Sequence, residues 1–216
     1  EGKKKRYFFR KFPREGQIKG DLVVRGYEFR RGDWITLTKD AEQLIMESIL
    51  DTKGIDEALN IANKYVDILR RRTFSIDDVT IFKQLKKDIS EYSVGHGQVH
   101  VAVAEKELTD YGVMPEVGEK SGVVIVNYDV VEKFYPHFCK KLSIDNLRSK
   151  VTSRAVLANR VTDVNDIDVD YYINNQLVKP LQRIFSIFGV QEKAITASEE
   201  SLDNMRSVDI EALIGE

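Results

Sequence analysis

Three histidines, His96, His100 and His137, and one cysteine, Cys139, are the side chains that first raise the question of metal or nucleophilic chemistry. Their spacing answers it in the negative. Neither Cys-x-x-Cys nor His-Glu-x-x-His occurs, and no calcium-loop pattern is present. The glycines follow neither the phosphate-loop order nor the Gly-x-Gly-x-x-Gly order of a dinucleotide fold, and no serine-hydrolase elbow is found. Asp163, Asp166, Asp168 and Asp170 form an acidic run that could hold a cation. Beside a polar loop and a helix start, capping and solvation account for it better. The chain is therefore expected to hold no catalytic residue, no metal and no cofactor of its own.

Cations make a different case. Residues 1–39 contain twelve Lys/Arg and five Asp/Glu, whereas residues 190–216 contain two and seven. A formal charge of −2 over 216 residues thus conceals a basic arm and an acidic tail. Lys3, Lys4, Lys5 and Arg6 precede Tyr7, a composition that grips phosphates while an aromatic ring packs on sugar or base. Arg30 and Arg31 follow in sequence, and Arg70, Arg71 and Arg72 end a helical pattern. Solvated surface remains the competing reading for each of these clusters.

The elements that must position these residues follow from periodicity. Residues 6–10, 22–25 and 27–30 read as short extended pieces punctuated by Gly16, Gly20, Gly26 and Gly32. A small antiparallel sheet with so few apolar residues needs something else to complete it. From Thr38 the period becomes helical: Ala41, Leu44, Ile45 and Ile49, then Ile55, Ala58, Leu59, Ala62, Val66 and Leu69. Residues 73–95 stay ambiguous between short helix and strand. A helix is expected over Val99 to Leu108, and an isolated strand over Gly122 to Tyr128. Asp129 and Glu132 predict a capping box before a helix that Pro136 interrupts. A loop-rich stretch at 143–167 leads to Asp168, which should cap a long helix kinked at Pro180 and stopped at Gly189. The fold class is α+β: a small antiparallel sheet followed by a mainly helical domain.

Apolar residues at 42% and charged residues at 31% indicate an ordinary globular chain. No run approaches a membrane span, and the first residues lack a secretory pattern. A single cysteine fits a reducing compartment, so a cytoplasmic location is expected.

In order along the chain, several motifs resemble the family B DNA polymerases, in particular the archaeal type. Lys4-Lys5-Arg6-Tyr7 looks like the lysine-lysine-variable-tyrosine element that follows their catalytic palm motifs. Arg25-Gly26 and Tyr27 through Trp34 are similar to the passage from palm to thumb. Gln84 and Leu85, Tyr92, Gly97 through Ala104, the strand near 122, Ser153 through Val156, and Asp170 through Ile173 with Gln176, Pro180 and Arg183 through Phe185 resemble the thumb. The likeness covers roughly residues 3–189. Gly32 replaces an arginine usual before Asp-Trp, Val99 replaces a common proline, and residues 129–147 are longer than the family pattern.

The resemblance implies a division into a palm edge (1–36), a thumb (37–189) and an acidic tail (190–216). It implies DNA contacts from Lys4, Lys5, Arg6, Tyr7, Arg31, His100, Arg154, Tyr171 and Gln176, with Asp33 and Trp34 at the palm–thumb junction. For Tyr7 packing against the palm is the alternative, and for His100 a helix-capping role is. The metal-binding aspartates of the family lie in Ser-Leu-Tyr-Pro and Tyr-x-Asp-Thr-Asp motifs, which this sequence lacks. The expected partners are therefore primer–template DNA and a larger polymerase chain carrying exonuclease, fingers and catalytic palm, with Mg2+ at that chain's catalytic site. A sliding clamp is a further possible partner, although the tail shows no clear clamp motif. No membrane partner is expected. An accessory protein that binds by sheet completion and a free-standing duplex-binding module are the alternatives.

Overall fold

The computed structural model describes residues 6–28, 34–51, 54–92, 97–113 and 115–197. It divides into two compact units, one of residues 1–31, 37–71 and 173–216, the other of residues 32–36 and 72–172. The mixed α+β class expected from periodicity is the class observed.

In the first unit, β1 (Tyr7–Arg10) pairs antiparallel with β2 (Leu22–Arg25), in register Tyr7 to Arg25 and Arg10 to Leu22. The helices α1 (Thr36–Leu50) and α2 (Gly54–Arg70) follow. Ala41, Ile45 and Met46 of α1 and Ala58, Ala62, Val66 and Leu69 of α2 are buried, as the period required. Leu44 departs from the expected stripe and is 44% exposed, Met46 taking an inward position instead. An ion pair joins half-buried Arg183 to the buried Glu28. The short helix α10 (Glu192–Ile195) packs on α2 through buried Ile195, and Arg70 Nη2 donates to the Thr196 carbonyl at 2.8 Å. The part of the acidic tail within the described residues is thus folded; residues 198–216 lie outside them.

The second unit is built on a three-stranded antiparallel sheet. Its centre is β4 (Lys120–Ile125), flanked by β3 (Ile81–Gln84) and β5 (Ala155–Leu157). The strand expected near 122–128 is therefore not isolated. Its neighbours were hidden because each is short: β3 fell in the ambiguous stretch and β5 in a segment read as loop. That segment also carries α6 (Ile144–Ser149) and α7 (Val151–Arg154). Gly122 is required where it stands, since a Cβ there would lie 2.8 Å from Thr80 Cγ2.

Against the sheet lies α3 (Val99–Tyr111), closed by Gly112 in the left-handed conformation at φ 67°. The capping box expected from Asp129 and Glu132 does not form. Asp129 falls inside a 3-10 turn, and the helix splits at Pro136 into α4 (Val131–Phe134) and α5 (Pro136–Cys139). The cap comes from far away in sequence instead. Asp110 of α3 accepts the backbone N–H groups of His137 at 2.6 Å and Phe138 at 3.0 Å. Lys106, fully buried, donates to the carbonyls of Thr152, Ser153 and Ala155 at 2.9, 2.7 and 2.7 Å.

Asp168 caps the last long helical run as expected, accepting from the Tyr171 N–H at 2.9 Å. That run comprises α8 (Val169–Tyr171), a π-helical stretch over Tyr172–Val178, and α9 (Lys179–Phe185). The irregularity expected from Pro180 is thus taken up as a wide turn just before it.

Candidate nucleic-acid interface

Strand β3 lies at the edge of the sheet, where side chains from consecutive positions border one hollow. The strand and the turn after it bring Lys83, Gln84, Lys86 and Lys87 to one concavity of about 580 Å³. β4 adds Lys120 at its first residue, and α3 adds Gln98 and His100 at its start. Phe82 and Tyr92 supply aromatic lining. No acidic side chain is among its described lining residues.

Tyr92 braces this lysine cluster. Its hydroxyl accepts the Lys86 backbone N–H at 3.0 Å, and Lys87 Nζ sits 5.0 Å from its ring centroid. The Lys87 ammonium also donates to the Glu91 carbonyl at 2.6 Å. His100 meets the Tyr92 ring edge-on, at 6.2 Å between centroids.

The thirteen-residue helix α3 begins here without a side-chain cap, and its first turn holds no acidic residue. Its N-terminal N–H groups and positive dipole end add to the lysine field. Burial, and then the charge of Lys83, hold the His100 imidazole below the usual histidine value. Its Nδ1 is buried without a hydrogen-bond partner among the described residues. Lysines, an open helix N-terminus and a histidine around one hollow form a site for anionic oxygen, above all phosphate.

A second concavity of about 620 Å³ shares Phe82 and Lys120 with this one. It is lined by Asp77, Glu107, Glu116 and Glu119, a field that repels phosphate. The anion-binding assignment therefore belongs to the lysine-lined hollow.

The other sequence-predicted residues are dispersed. Arg6 Nε donates to the Gly26 carbonyl at 3.2 Å, and Tyr7, 50% exposed, stacks on Phe9 at 6.1 Å. Both belong to the first unit, as does half-buried Gln176. In the second unit Arg154 is engaged by the Asp168 carboxylate. Tyr171 meets the Tyr172 ring edge-on at 5.3 Å, and Trp34 is half-buried. Among the described residues that the sequence predicted, only His100 lines the lysine hollow. Lys4, Lys5, Arg31 and Asp33 lie outside the described residues. Arg72, one of the cations noted on charge alone, spends its Nη1 on the Val164 and Ile167 carbonyls at 2.7 and 2.9 Å. The acidic run is likewise engaged: Asp163 accepts the Asn165 N–H at 2.8 Å and Asp166 pairs with Lys133 at 2.7 Å.

Sequence reasoning passed over Lys83, Lys86, Lys87 and Lys120. A signal was available, since Lys86-Lys87 with Tyr92 repeats the cations-beside-aromatic composition seen at residues 3–7.

The second unit thus carries a lysine-lined hollow on a three-stranded sheet, and comparison with known proteins gives the family. Residues 2–188 match the model of DNA polymerase family B. The chain is 32% identical over 192 residues to a DNA polymerase of Archaeoglobus fulgidus, covering 87% of this chain and 23% of that protein. It is 30% identical over 176 residues to a DNA polymerase of Methanocaldococcus jannaschii, covering 82% and 9% respectively. The structure of the family B DNA polymerase from Pyrobaculum calidifontis superimposes with a TM-score of 0.61 at 29% identity, over 88% of this chain and 21% of that one. This chain belongs to DNA polymerase family B. It spans about a quarter or less of the length of these relatives.

Proposed function

We propose that this chain is the thumb and palm border of a family B DNA-directed DNA polymerase, holding primer–template duplex for nucleotide addition catalysed on a larger chain. The observation that carries this reading is the lysine-lined hollow at the open N-terminus of α3. Contacts of this type bind backbone phosphate without reading sequence, as a polymerase that must slide along any template requires. The role of these residues is positional: they keep the primer end aligned while bond formation proceeds elsewhere.

Catalytic aspartates and their Mg2+ belong to the larger chain in this reading. No group of three or more His, Cys, Asp or Glu able to hold a metal ion occurs among the described residues. Within the described residues no helix is long and apolar enough to cross a membrane, and a cytoplasmic location accords with a replicative role.

The two-stranded sheet favours the same partner. Tyr7 and Phe9 alternate onto one face of β1 and are 50% and 45% exposed, so that face is open to a further packed layer. A purely accessory role, binding by sheet completion with little DNA contact, draws on this same observation but leaves the lysine hollow without a use.

The test is reconstitution of primer extension. This chain alone should extend no primer, and its addition should raise the activity and processivity of the larger chain. A larger chain equally active and processive without it would contradict the reading.

A further inference from the structure

One imidazole stands among the described residues that line the lysine hollow. His100 sits in the first turn of α3, facing Lys83 from β3, Lys86, Lys87 and Tyr92 from the segment after it, and Lys120 from β4. Its Nδ1 is buried and makes no hydrogen bond among the described residues. Nε2 is then the ring nitrogen left to meet a ligand. Every charged residue among the described lining is positive, and the α3 dipole presents its positive end. An anion entering the hollow reverses that field.

We propose that His100 couples phosphate binding in this hollow to the uptake of a proton, so that the chain grips DNA backbone more tightly as pH falls. This rests on the nucleic-acid reading of the hollow. Without ligand, burial and the lysine charge favour neutral imidazole. A bound phosphodiester stays a monoanion across this range, so the proton goes to the imidazole. The resulting imidazolium donates a charge-assisted hydrogen bond to a phosphate oxygen. The sign follows from linkage. A pKa higher in the complex than in the free chain makes binding tighter below it, and the gain disappears as pH rises through the bound-state value.

The experiment measures affinity of the full chain for a duplex without terminal phosphates, by fluorescence anisotropy between pH 8 and pH 5.5 at constant ionic strength. Affinity should rise by about tenfold for each unit by which DNA raises the His100 pKa. His100→Gln should flatten this dependence, whereas His96→Gln and His137→Gln should retain it. NMR titration of the His100 ring should give a higher pKa with DNA than without. An equal rise in H100Q, loss of the rise in H96Q or H137Q, or a ring pKa unmoved by DNA would overturn the coupling. Failure here is distinct from failure of the underlying reading. Lysine-dependent binding that is flat in pH sinks only the coupling, whereas binding indifferent to Lys86→Ala and Lys87→Ala sinks the DNA-holding assignment itself.

Discussion

The hydroxyl of Thr38 on α1 donates to the Gln176 carbonyl oxygen at 2.6 Å, the carbonyl four residues before Pro180. Proline has no N–H, so in a regular helix that carbonyl would have no donor at position 180. Thr38, fully buried, supplies one. Thr38→Val keeps the shape and removes the donor, and should cost about 0.5–1.5 kcal/mol as the carbonyl loses one hydrogen bond. Thr38→Ser should recover most of this in urea denaturation. Combining Thr38→Val with Pro180→Ala, which restores an N–H, should cost less than the sum of the two single changes.

Gly122 and Thr80 form a second coupled pair. Gly122→Ala sets a Cβ 2.8 Å from Thr80 Cγ2, and overpacking of this kind costs about 1–3 kcal/mol. Thr80→Ser removes the methyl group concerned. The double variant should therefore melt above Gly122→Ala alone, and thermal unfolding checks it.

Lys106 gives stability a pH dependence. Burial pulls its pKa down from 10.5 to about 7, partly opposed by the nearby Cys139 and Asp110. Between about 7 and 10.5 the unfolded chain holds a proton on this lysine that the folded chain has released. From this group stability should therefore rise with pH across that window, by at most about 1.4 kcal/mol per unit, and level off below it. Lys106→Met should abolish that rise in urea midpoints taken at pH 7 and pH 9.5. It should also lower stability overall, because the Thr152, Ser153 and Ala155 carbonyls lose their donor.

Helices declared themselves in the sequence where one face carried a full apolar stripe, as in α2 with Ala58, Ala62, Val66 and Leu69. The three-stranded sheet did not, because β3 and β5 are four and three residues long and owe their pairing to β4 rather than to local pattern. Caps separated in sequence were equally invisible: nothing near Pro136 announces that Asp110 will serve the start of α5. At the candidate site His100 was legible through its motif. The lysines around it are ordinary surface residues until the β3–β4 pairing brings Lys83 and Lys120 to the same hollow.

If this hollow holds DNA by its phosphates, duplex binding weakens steeply with salt, and the lysines of the hollow set part of that slope. Each phosphate contact contributes about 0.9 to the slope of log affinity against log salt concentration. Lys86→Ala, Lys87→Ala and Lys120→Ala should each lower the slope by roughly that amount or less, and should weaken binding uniformly across duplex sequences. Slopes and affinities identical to those of the unsubstituted chain in all three variants would contradict the account.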